Sequence, residues 1–257
     1  MKFKFKKKWG QNFLKNKLIV NEIINIENLE GKNVVEIGPG NGVLTTAILK
    51  QNPKFLTSIE KDESLRSKLN RLEEKNKSNF KLVFDDIFNV NITELYKNDK
   101  ITIIANLPYN IATTLIINWM KNIEIFNIII VMVQREVAER LTAKSSSSSY
   151  GRTSIIAQLH SIIEKKIDVP PDNFFPRPKV HSTVLKIIPN KNKSFNFEKL
   201  DFLLKESFRF RRKKLVSNLL RNFKESKKMF TEKKLDLNSR AQDISPEKFL
   251  EILKYLN

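Results

Sequence analysis

Short runs of apolar, mostly β-branched residues recur through the first half of the chain. They occupy residues 33–37, 55–60, 80–84, 101–105 and 127–133. Runs of this length and composition predict strands, and the segments between them, such as 44–50 and 63–74, have the apolar spacing of helices. Regular alternation of strands and helices predicts an α/β fold with a largely parallel sheet.

A polar segment, residues 142–150, contains five consecutive serines. A segment of this composition cannot bury a core, so we expect a mobile surface loop there. Beyond it we predict a helix over 151–161 and two extended runs, 162–169 and 180–188, on either side of a proline-rich loop.

The last quarter of the chain has a different pattern. Residues 189–196 are polar and resemble a linker, and residues 197–257 show helical periodicity with almost no strand signal. We therefore predict a sheet domain over 1–188, which includes a basic arm at 1–14, and a small all-helical domain over 189–257.

The charge is strongly unbalanced, because 47 lysines and arginines against 28 acidic residues give a formal net charge of +19. Biased codon usage can produce such a chain, but a charge of this size also favours polyanionic partners. Two dense basic runs favour RNA over a merely solvated surface. The residues that we expect to contact RNA are Lys6, Lys7 and Lys8 in the first run and Arg209, Arg211, Arg212 and Lys213 in the second.

Other features exclude whole classes of site. The chain has no cysteine, and its two histidines, His160 and His181, are far apart, so we expect neither a disulfide nor a metal site. The N-terminus is basic but lacks the apolar stretch of a secretory signal, and no segment approaches the roughly 20 apolar residues of a membrane span. We expect a cytoplasmic monomer without a membrane partner.

A glycine-rich loop follows the first strand and leads into a helix. Gly38, Gly40 and Gly42 allow positive φ angles and a close approach of the backbone to a ligand, and the helix start offers free N–H groups. Such loops bind several nucleotide-like cofactors, and some are glycine-rich for packing alone. No GxxxxGK[ST] motif is present, so a P-loop site is not supported.

Acidic residues end the next two strands at the same edge of the sheet. Glu60 lies about 20 residues beyond the glycines, where a carboxylate reaches ribose hydroxyls, and this position suits NAD equally well. Asp86 follows the third strand and is placed to accept a hydrogen bond from an adenine amino group. Asp85 is its rival, and either can be a solvated loop acid.

The tetrapeptide Asn106, Leu107, Pro108 and Tyr109 directly follows the fourth strand. The amine of adenine is a poor nucleophile because its lone pair is delocalised into the ring. The Asn106 side-chain oxygen and the Leu107 carbonyl can accept both amine hydrogens and orient that lone pair, while Tyr109 stacks on the base. In isolation the tetrapeptide also suits an ordinary turn after a buried strand.

A second aromatic face comes from the proline-rich loop. Phe174 is our choice, and Phe175 is the alternative. Stacking contributes about 1–3 kcal/mol per base, enough to hold an extruded adenine, although an aromatic beside prolines is often a packing device.

Together these residues resemble the ribosomal RNA adenine dimethyltransferase family over nearly the whole chain. The motifs that carry the resemblance are QNFL, VEIGPGNGVLT, Glu60, Asp86, NLPYNI, YGRTS, FFPRPKVHS, FRFRRKKLVSNL and RAQDISPEKFLEI. The resemblance implies a Rossmann-like class I methyltransferase domain with a small C-terminal helical domain. It also implies an S-adenosylmethionine-dependent enzyme that dimethylates two adjacent adenosines near the 3′ end of 16S rRNA in the assembling small subunit.

Site residues are implied by the same resemblance. Tyr109 and Phe174 would flank the target base. The methyl donor would be contacted by Asn12, Leu14, Gly38, Glu60, Asp86 and Asn106, with Gly40 in the same loop. The alternatives are a large-subunit RNA or DNA adenine methyltransferase, a non-catalytic ribosome assembly factor and an NAD-dependent oxidoreductase.

Overall fold

The computed structural model describes residues 12–96, 99–190 and 195–256. Lys6, Lys7 and Lys8 lie outside the described residues, as does nearly all of the basic arm. Their contact with RNA therefore stays a prediction.

Seven strands form one sheet whose order reverses near its middle. In spatial order they are β4 (Phe80–Phe84), β3 (Phe55–Glu60), β2 (Asn33–Ile37), β5 (Ile101–Asn106), β6 (Phe126–Gln134), β9 (Ser182–Pro189) and β7 (Ser161–Val169). The first five strands in this spatial order, β4, β3, β2, β5 and β6, are parallel to one another. Strand β9 runs antiparallel to both of its neighbours, β6 and β7. The predicted α/β fold is confirmed, and the chain order reverses between β2 and β5, where such sheets bind ligands.

Helices cover both faces of this sheet. They are α1 (Lys17–Ile24), α2 (Val43–Leu49), α3 (Arg66–Lys75), α4 (Ile92–Leu95), α5 (Ala112–Trp119), α6 (Arg135–Leu141), α7 (Arg152–His160), α8 (Phe197–Ser207), α9 (Leu215–Leu219), α10 (Ser226–Glu232) and α11 (Pro246–Leu256). Across the described ranges, no helix has both the length and the apolar character needed to cross a membrane. A separate two-stranded sheet pairs β1 (Phe13–Leu14) with β8 (Phe174–Phe175).

Side chains of the central strands alternate between two buried clusters. Val35 and Ile103 belong to one cluster, and Val34 and Ile104 belong to the other. Because successive side chains point to opposite faces of a sheet, strands covered on both sides are mostly apolar on both faces. This double burial explains the continuous apolar runs in the sequence.

The C-terminal helices pack onto the sheet portion of the molecule. Leu200 and Leu204 of α8 and Phe249 of α11 are fully buried in the same cluster as Ile155 of α7. The predicted boundary at 188 lies one residue before the end of β9 at Pro189. Since the helices beyond it continue the core of the sheet, a division into two independently folding domains stays a prediction.

The serine-rich segment is a loop, as predicted, but it is anchored at several points. The Ser146 N–H donates to the Gln242 carbonyl at 2.8 Å. Tyr150 is fully buried, and its hydroxyl donates to the Ile244 carbonyl at 2.8 Å. The expectation that this segment buries nothing is wrong at Tyr150, because the ring fills the core and its hydroxyl finds a partner in the C-terminal part of the chain.

A carboxyl group is buried inside the sheet beneath the glycine loop. Glu36 of β2 is 1% exposed, and its Oε2 atom accepts hydrogen bonds from Thr45 of α2 at 2.8 Å and Ser58 of β3 at 2.6 Å. Its Oε1 atom is buried without a hydrogen-bond partner. Burial raises the pKa of Glu36 to about 7.

Replacing this carboxyl group should change how stability depends on pH. The pKa of Glu36 rises from an ordinary 4.5 to about 7 on folding, so folding takes up a proton between these values and stability falls as pH rises through that window. The loss amounts to about 3 kcal/mol. We expect Glu36→Gln to remove this decline, measured as the free energy of urea unfolding at pH 5 and pH 8.

The matched control is Glu74→Gln, at an exposed position on α3. It should keep the pH dependence of the wild type. A Glu36→Gln protein with the same decline as the wild type would show that another group titrates.

Candidate active site

A cavity opens at the carboxyl ends of β2, β3, β4 and β5, where the strand order reverses. It is lined by all but two of the residues predicted to bind the donor or act in catalysis. The predicted residues that line it are Asn12, Gly38, Gly40, Glu60, Asp86, Asn106, Leu107, Pro108 and Tyr109. The structure therefore brings together the glycine loop, the acidic strand ends and the tetrapeptide.

Two glycines of the loop place backbone directly against the cavity. Gly38 and Gly40 have φ angles of +68° and +56°. A Cβ atom at Gly40 would lie 2.7 Å from the ring of Phe13, which also lines the cavity, and one at Gly38 would lie 4.0 Å from the Asn106 carbonyl oxygen. Gly42 serves packing instead, since a Cβ atom there would meet Leu72 at 2.7 Å.

Glu60 ties this loop to β3. Its Oε2 atom accepts the Gly40 N–H at 3.1 Å, and its Oε1 atom accepts the Asp62 N–H at 2.7 Å. The side chain is 7% exposed, and burial raises its pKa. Each carboxylate oxygen has a further lone pair, so the group can still accept a hydrogen bond from a ribose hydroxyl.

The two neighbouring aspartates have different surroundings, although both line the cavity. The Asp86 carboxylate pairs with Lys61 at 2.5 Å, and this contact lowers its pKa. Asp85 instead accepts hydrogen bonds from the Asp86 N–H at 2.6 Å and the Asn89 amide at 2.9 Å, within its own turn. Lys61 itself also lines the cavity. The sequence analysis does not predict it as a site residue, and the only signal for it is its position directly after Glu60.

Asn106 is oriented by a contact with the N-terminal segment. Its Nδ2 atom donates to the Asn12 carbonyl oxygen at 2.8 Å. A carbonyl only accepts hydrogen bonds, so the amide nitrogen must face Asn12, and Oδ1 is left as the acceptor that this side chain can offer to a ligand. The N–H of Leu107 donates to the Met132 carbonyl at 3.1 Å, which fixes the tetrapeptide against β6.

Tyr109 also lines the cavity and is held there by a hydrogen bond. Its ring is half-buried, and its hydroxyl lies 2.8 Å from Ser182 Oγ at the start of β9. Burial raises the pKa of Tyr109, so the phenol is neutral at physiological pH. A ring fixed at its hydroxyl end in this way is suited to packing on a flat ligand.

Leu14 and Phe174 are the two predicted residues that do not line the cavity. They are directly paired across β1 and β8, and they are 3% and 1% exposed within the second core cluster. The adjacent pair points the other way, because Phe13 lines the cavity and Phe175 is 58% exposed. In this structure Phe174 therefore presents no ring face to a base, and its predicted stacking role would require a different side-chain position.

The second basic run lies at the turn between α8 and α9. Arg209, Arg211, Arg212 and Lys213 are all exposed there, as an RNA contact requires. The guanidinium of Arg211 also donates to the Tyr150 carbonyl at 3.0 Å, so this residue has a structural role as well.

Comparison with known proteins agrees with this geometry. Residues 2–257 match the family model described as ribosomal RNA adenine dimethylase. The chain belongs to this family. Its membership confirms the resemblance found in the motifs and makes the protein a methyltransferase.

Two relatives illustrate the similarity. Ribosomal RNA small subunit methyltransferase A of Wolbachia sp. subsp. Drosophila simulans (strain wRi) is 39% identical over 247 residues, which cover 95% of this chain and 90% of the relative. The protein of the same name from Ehrlichia chaffeensis is 36% identical over 255 residues, covering 98% of this chain and 97% of the relative.

Solved structures share the fold. A dimethyladenosine transferase from Plasmodium falciparum has a TM-score of 0.80 at 26% identity, covering 95% of this chain and 96% of that one. The 23S rRNA methyltransferase ErmE has a TM-score of 0.73 at 20% identity, covering 95% and 99%. The likeness to ErmE shows the fold alone.

The enzyme depends on S-adenosylmethionine, as the sequence predicts. The cavity suits this molecule. Position 40 lacks the Cβ atom that would crowd Phe13, and the carboxylates of Glu60 and Asp86 suit ribose hydroxyls and an adenine amine.

Adding a methyl group at Gly40 should weaken donor binding. Gly40→Ala places a Cβ atom 2.7 Å from the Phe13 ring at a φ of +56°, so either the loop or the ring must move. We expect an affinity for S-adenosylmethionine that is lower by roughly tenfold or more, measured by calorimetry.

Gly31→Ala is the matched control, because Gly31 has a φ of +67° but nothing within 4 Å of its Cβ position. It should lose about 1 kcal/mol of stability and bind the donor normally. Equal donor affinities in the two variants would mean that the contact with Phe13 is unimportant.

Proposed function

We propose that this enzyme dimethylates N6 of two adjacent adenosines near the 3′ end of 16S rRNA in the assembling small ribosomal subunit. The observation that carries the proposal is that the glycine loop lies next to the tetrapeptide, at the ends of the paired strands β2 and β5, where a Cβ atom added to Gly38 would lie 4.0 Å from the Asn106 carbonyl oxygen. The donor and acceptor sides of a methyl transfer thus meet at neighbouring strands. The names of the relatives support the small subunit as the source of the RNA.

Catalysis here depends on orienting the amine rather than on a strong base. S-adenosylmethionine supplies a methyl carbon on a sulfonium, which is already a reactive donor. In the first transfer the Asn106 Oδ1 atom and the Leu107 carbonyl accept the two amine hydrogens and turn the nitrogen lone pair out of the plane of the base, and in the second transfer one of them accepts the remaining hydrogen. Each transfer breaks the sulfonium–methyl bond, forms the N6–methyl bond and releases one amine proton to solvent. Because the Asn12 carbonyl holds the Asn106 amide at 2.8 Å, the acceptor is positioned before the substrate arrives.

Aromatic stacking would hold the flipped base against these acceptors. Tyr109 is placed for this role by its hydrogen bond to Ser182 at 2.8 Å. Extruding a base costs a few kcal/mol, which stacking and the edge contacts offset. Phe174 remains our second candidate only if binding of RNA exposes its ring.

The RNA would be bound by charge outside the cavity. The exposed residues Arg209, Arg212 and Lys213 form one contact surface, and Lys6, Lys7 and Lys8 would form another. A substrate within ribosomal subunits implies a cytoplasmic enzyme, and we retain the expectation that it acts as a monomer.

Removing the amide of Asn106 should abolish turnover without preventing the RNA from binding. Asn106→Ala deletes one of the two acceptors for the amine, so we expect kcat to fall roughly 100-fold or more, measured with labelled S-adenosylmethionine and small subunits. Asn118→Ala, at an exposed position on α5, is the control and should be as active as the wild type. A near-normal rate for Asn106→Ala would remove its proposed role.

The substrate assignment is tested by methyl transfer to small subunits purified from cells that lack this modification. We expect N6,N6-dimethyladenosine, identified by nucleoside mass spectrometry, at two adjacent positions near the RNA 3′ end. Labelling of large-subunit RNA or DNA instead would keep the chemistry and overturn the substrate. Binding to subunits without any methyl transfer would identify an assembly factor.

A further inference from the structure

An exposed phenylalanine lies at the centre of the basic turn between α8 and α9. The ring of Phe210 is 38% exposed. Three cations surround its centroid, with Lys213 Nζ at 4.8 Å, Arg221 Cζ at 5.5 Å and Arg209 Cζ at 6.0 Å. We call these four residues the Phe210 cluster.

The cluster has little negative charge to balance it. No acidic residue occurs between positions 207 and 224 of the sequence. Glu206 approaches Arg209 at 3.4 Å, but this carboxylate is 4% exposed and also accepts the Asn222 amide at 2.7 Å. Contacts between cations and a ring are individually weak at the surface, and like charges around one ring repel each other, so a bound anion would stabilise the cluster.

The shape of the cluster selects among anions. Glu206 pairs with Arg209 at 3.4 Å, whereas Lys213 and Arg221 are exposed and lie over the ring. A base would stack on the ring as these two side chains move out to its phosphates. A flat apolar surface next to two exposed cations matches a nucleotide whose base stacks on the ring while its phosphates meet the charges. A simple anion such as free phosphate would use the cations and leave the ring unused.

We propose that the Phe210 cluster binds an unpaired nucleotide of the RNA substrate, with the base stacked on Phe210 and the flanking phosphates at Lys213 and Arg221. This site is separate from the catalytic cavity, and it rests on the proposed function because its ligand is part of the same RNA. It divides the basic turn into residues that contact phosphate and one residue that contacts a base.

Binding of two fluorescent probes by the full-length enzyme tests the proposal. One probe is a short single-stranded oligouridylate, and the other is an abasic strand of the same length. For Phe210→Leu we expect oligouridylate affinity to fall roughly 5- to 100-fold with an unchanged salt slope, and abasic-strand affinity to stay the same. Phe210→Trp should keep the affinity of the wild type, because it preserves a stacking surface.

Lys213→Gln should behave differently, since it removes a phosphate contact. Its salt slope should decrease by roughly 0.7 with both probes. The matched control for the ring is Phe202→Leu, at a phenylalanine that is 47% exposed on α8 and packs against Phe223. It should bind both probes as the wild type does.

Two results would overturn the proposal. One is a Phe210→Leu enzyme with normal oligouridylate affinity, and the other is an equal loss with both probes, which would mean that the ring only supports its neighbours. Thermal unfolding of each variant and the affinity of Phe210→Trp separate loss of stacking from loss of folding. Methylation of small subunits by the wild type, measured in parallel, tests the proposed function on its own.

Discussion

The parallel pairing of β2 with β5 is the constraint on which the site depends. Its register runs from Asn33 opposite Ile101 to Ile37 opposite Ala105. The next residues along the two strands are Gly38 and Asn106, so the same register that builds the sheet places the donor loop beside the tetrapeptide. A slip of one residue would turn the buried side chains of β2 to the wrong faces. The core and the site are therefore specified by the same hydrogen bonds.

Much of this arrangement follows from local features of the sequence. The strands at 33–37, 55–60 and 80–84 end where the apolar runs end, and both faces of the first two are covered. Most of the cavity residues follow from the sequence because they lie at or just beyond strand ends, and parallel strands end at one edge. Asn12 is different, since it precedes β1 and is implied only by the family resemblance. Proximity to a strand end is therefore the sequence signal for a cavity residue, and it also holds for Lys61, which directly follows β3.

Two features that the sequence does not reveal depend on contacts between distant segments. The pairing of Leu14 with Phe174 spans most of the chain, and nothing local shows which of Phe174 and Phe175 faces the core. Alternation along β8 settles that question, and it places Phe174 inside. The serines before Tyr150 likewise predict a surface loop. Tyr150 is buried because its hydrogen-bond partner, the Ile244 carbonyl, comes from a segment 94 positions further along the chain. Composition describes a segment, while burial depends on what packs against it.

Charge is distributed unevenly between the interior and the surface. The carboxyl groups of Glu36 and Glu60 are buried at the ends of β2 and β3, where burial raises their pKa values, whereas a dense run of exposed cations lies on the turn between α8 and α9. Arg211 connects this turn to the core. Its guanidinium donates to the Tyr150 carbonyl at 3.0 Å, and the hydroxyl of the buried Tyr150 donates to the Ile244 carbonyl. These bonds fix the basic turn relative to the helices that share the core of the sheet. If the basic turn binds RNA as we propose, that RNA is held at a set distance from Asn106, and the same surface would then determine which nucleotides can reach the cavity.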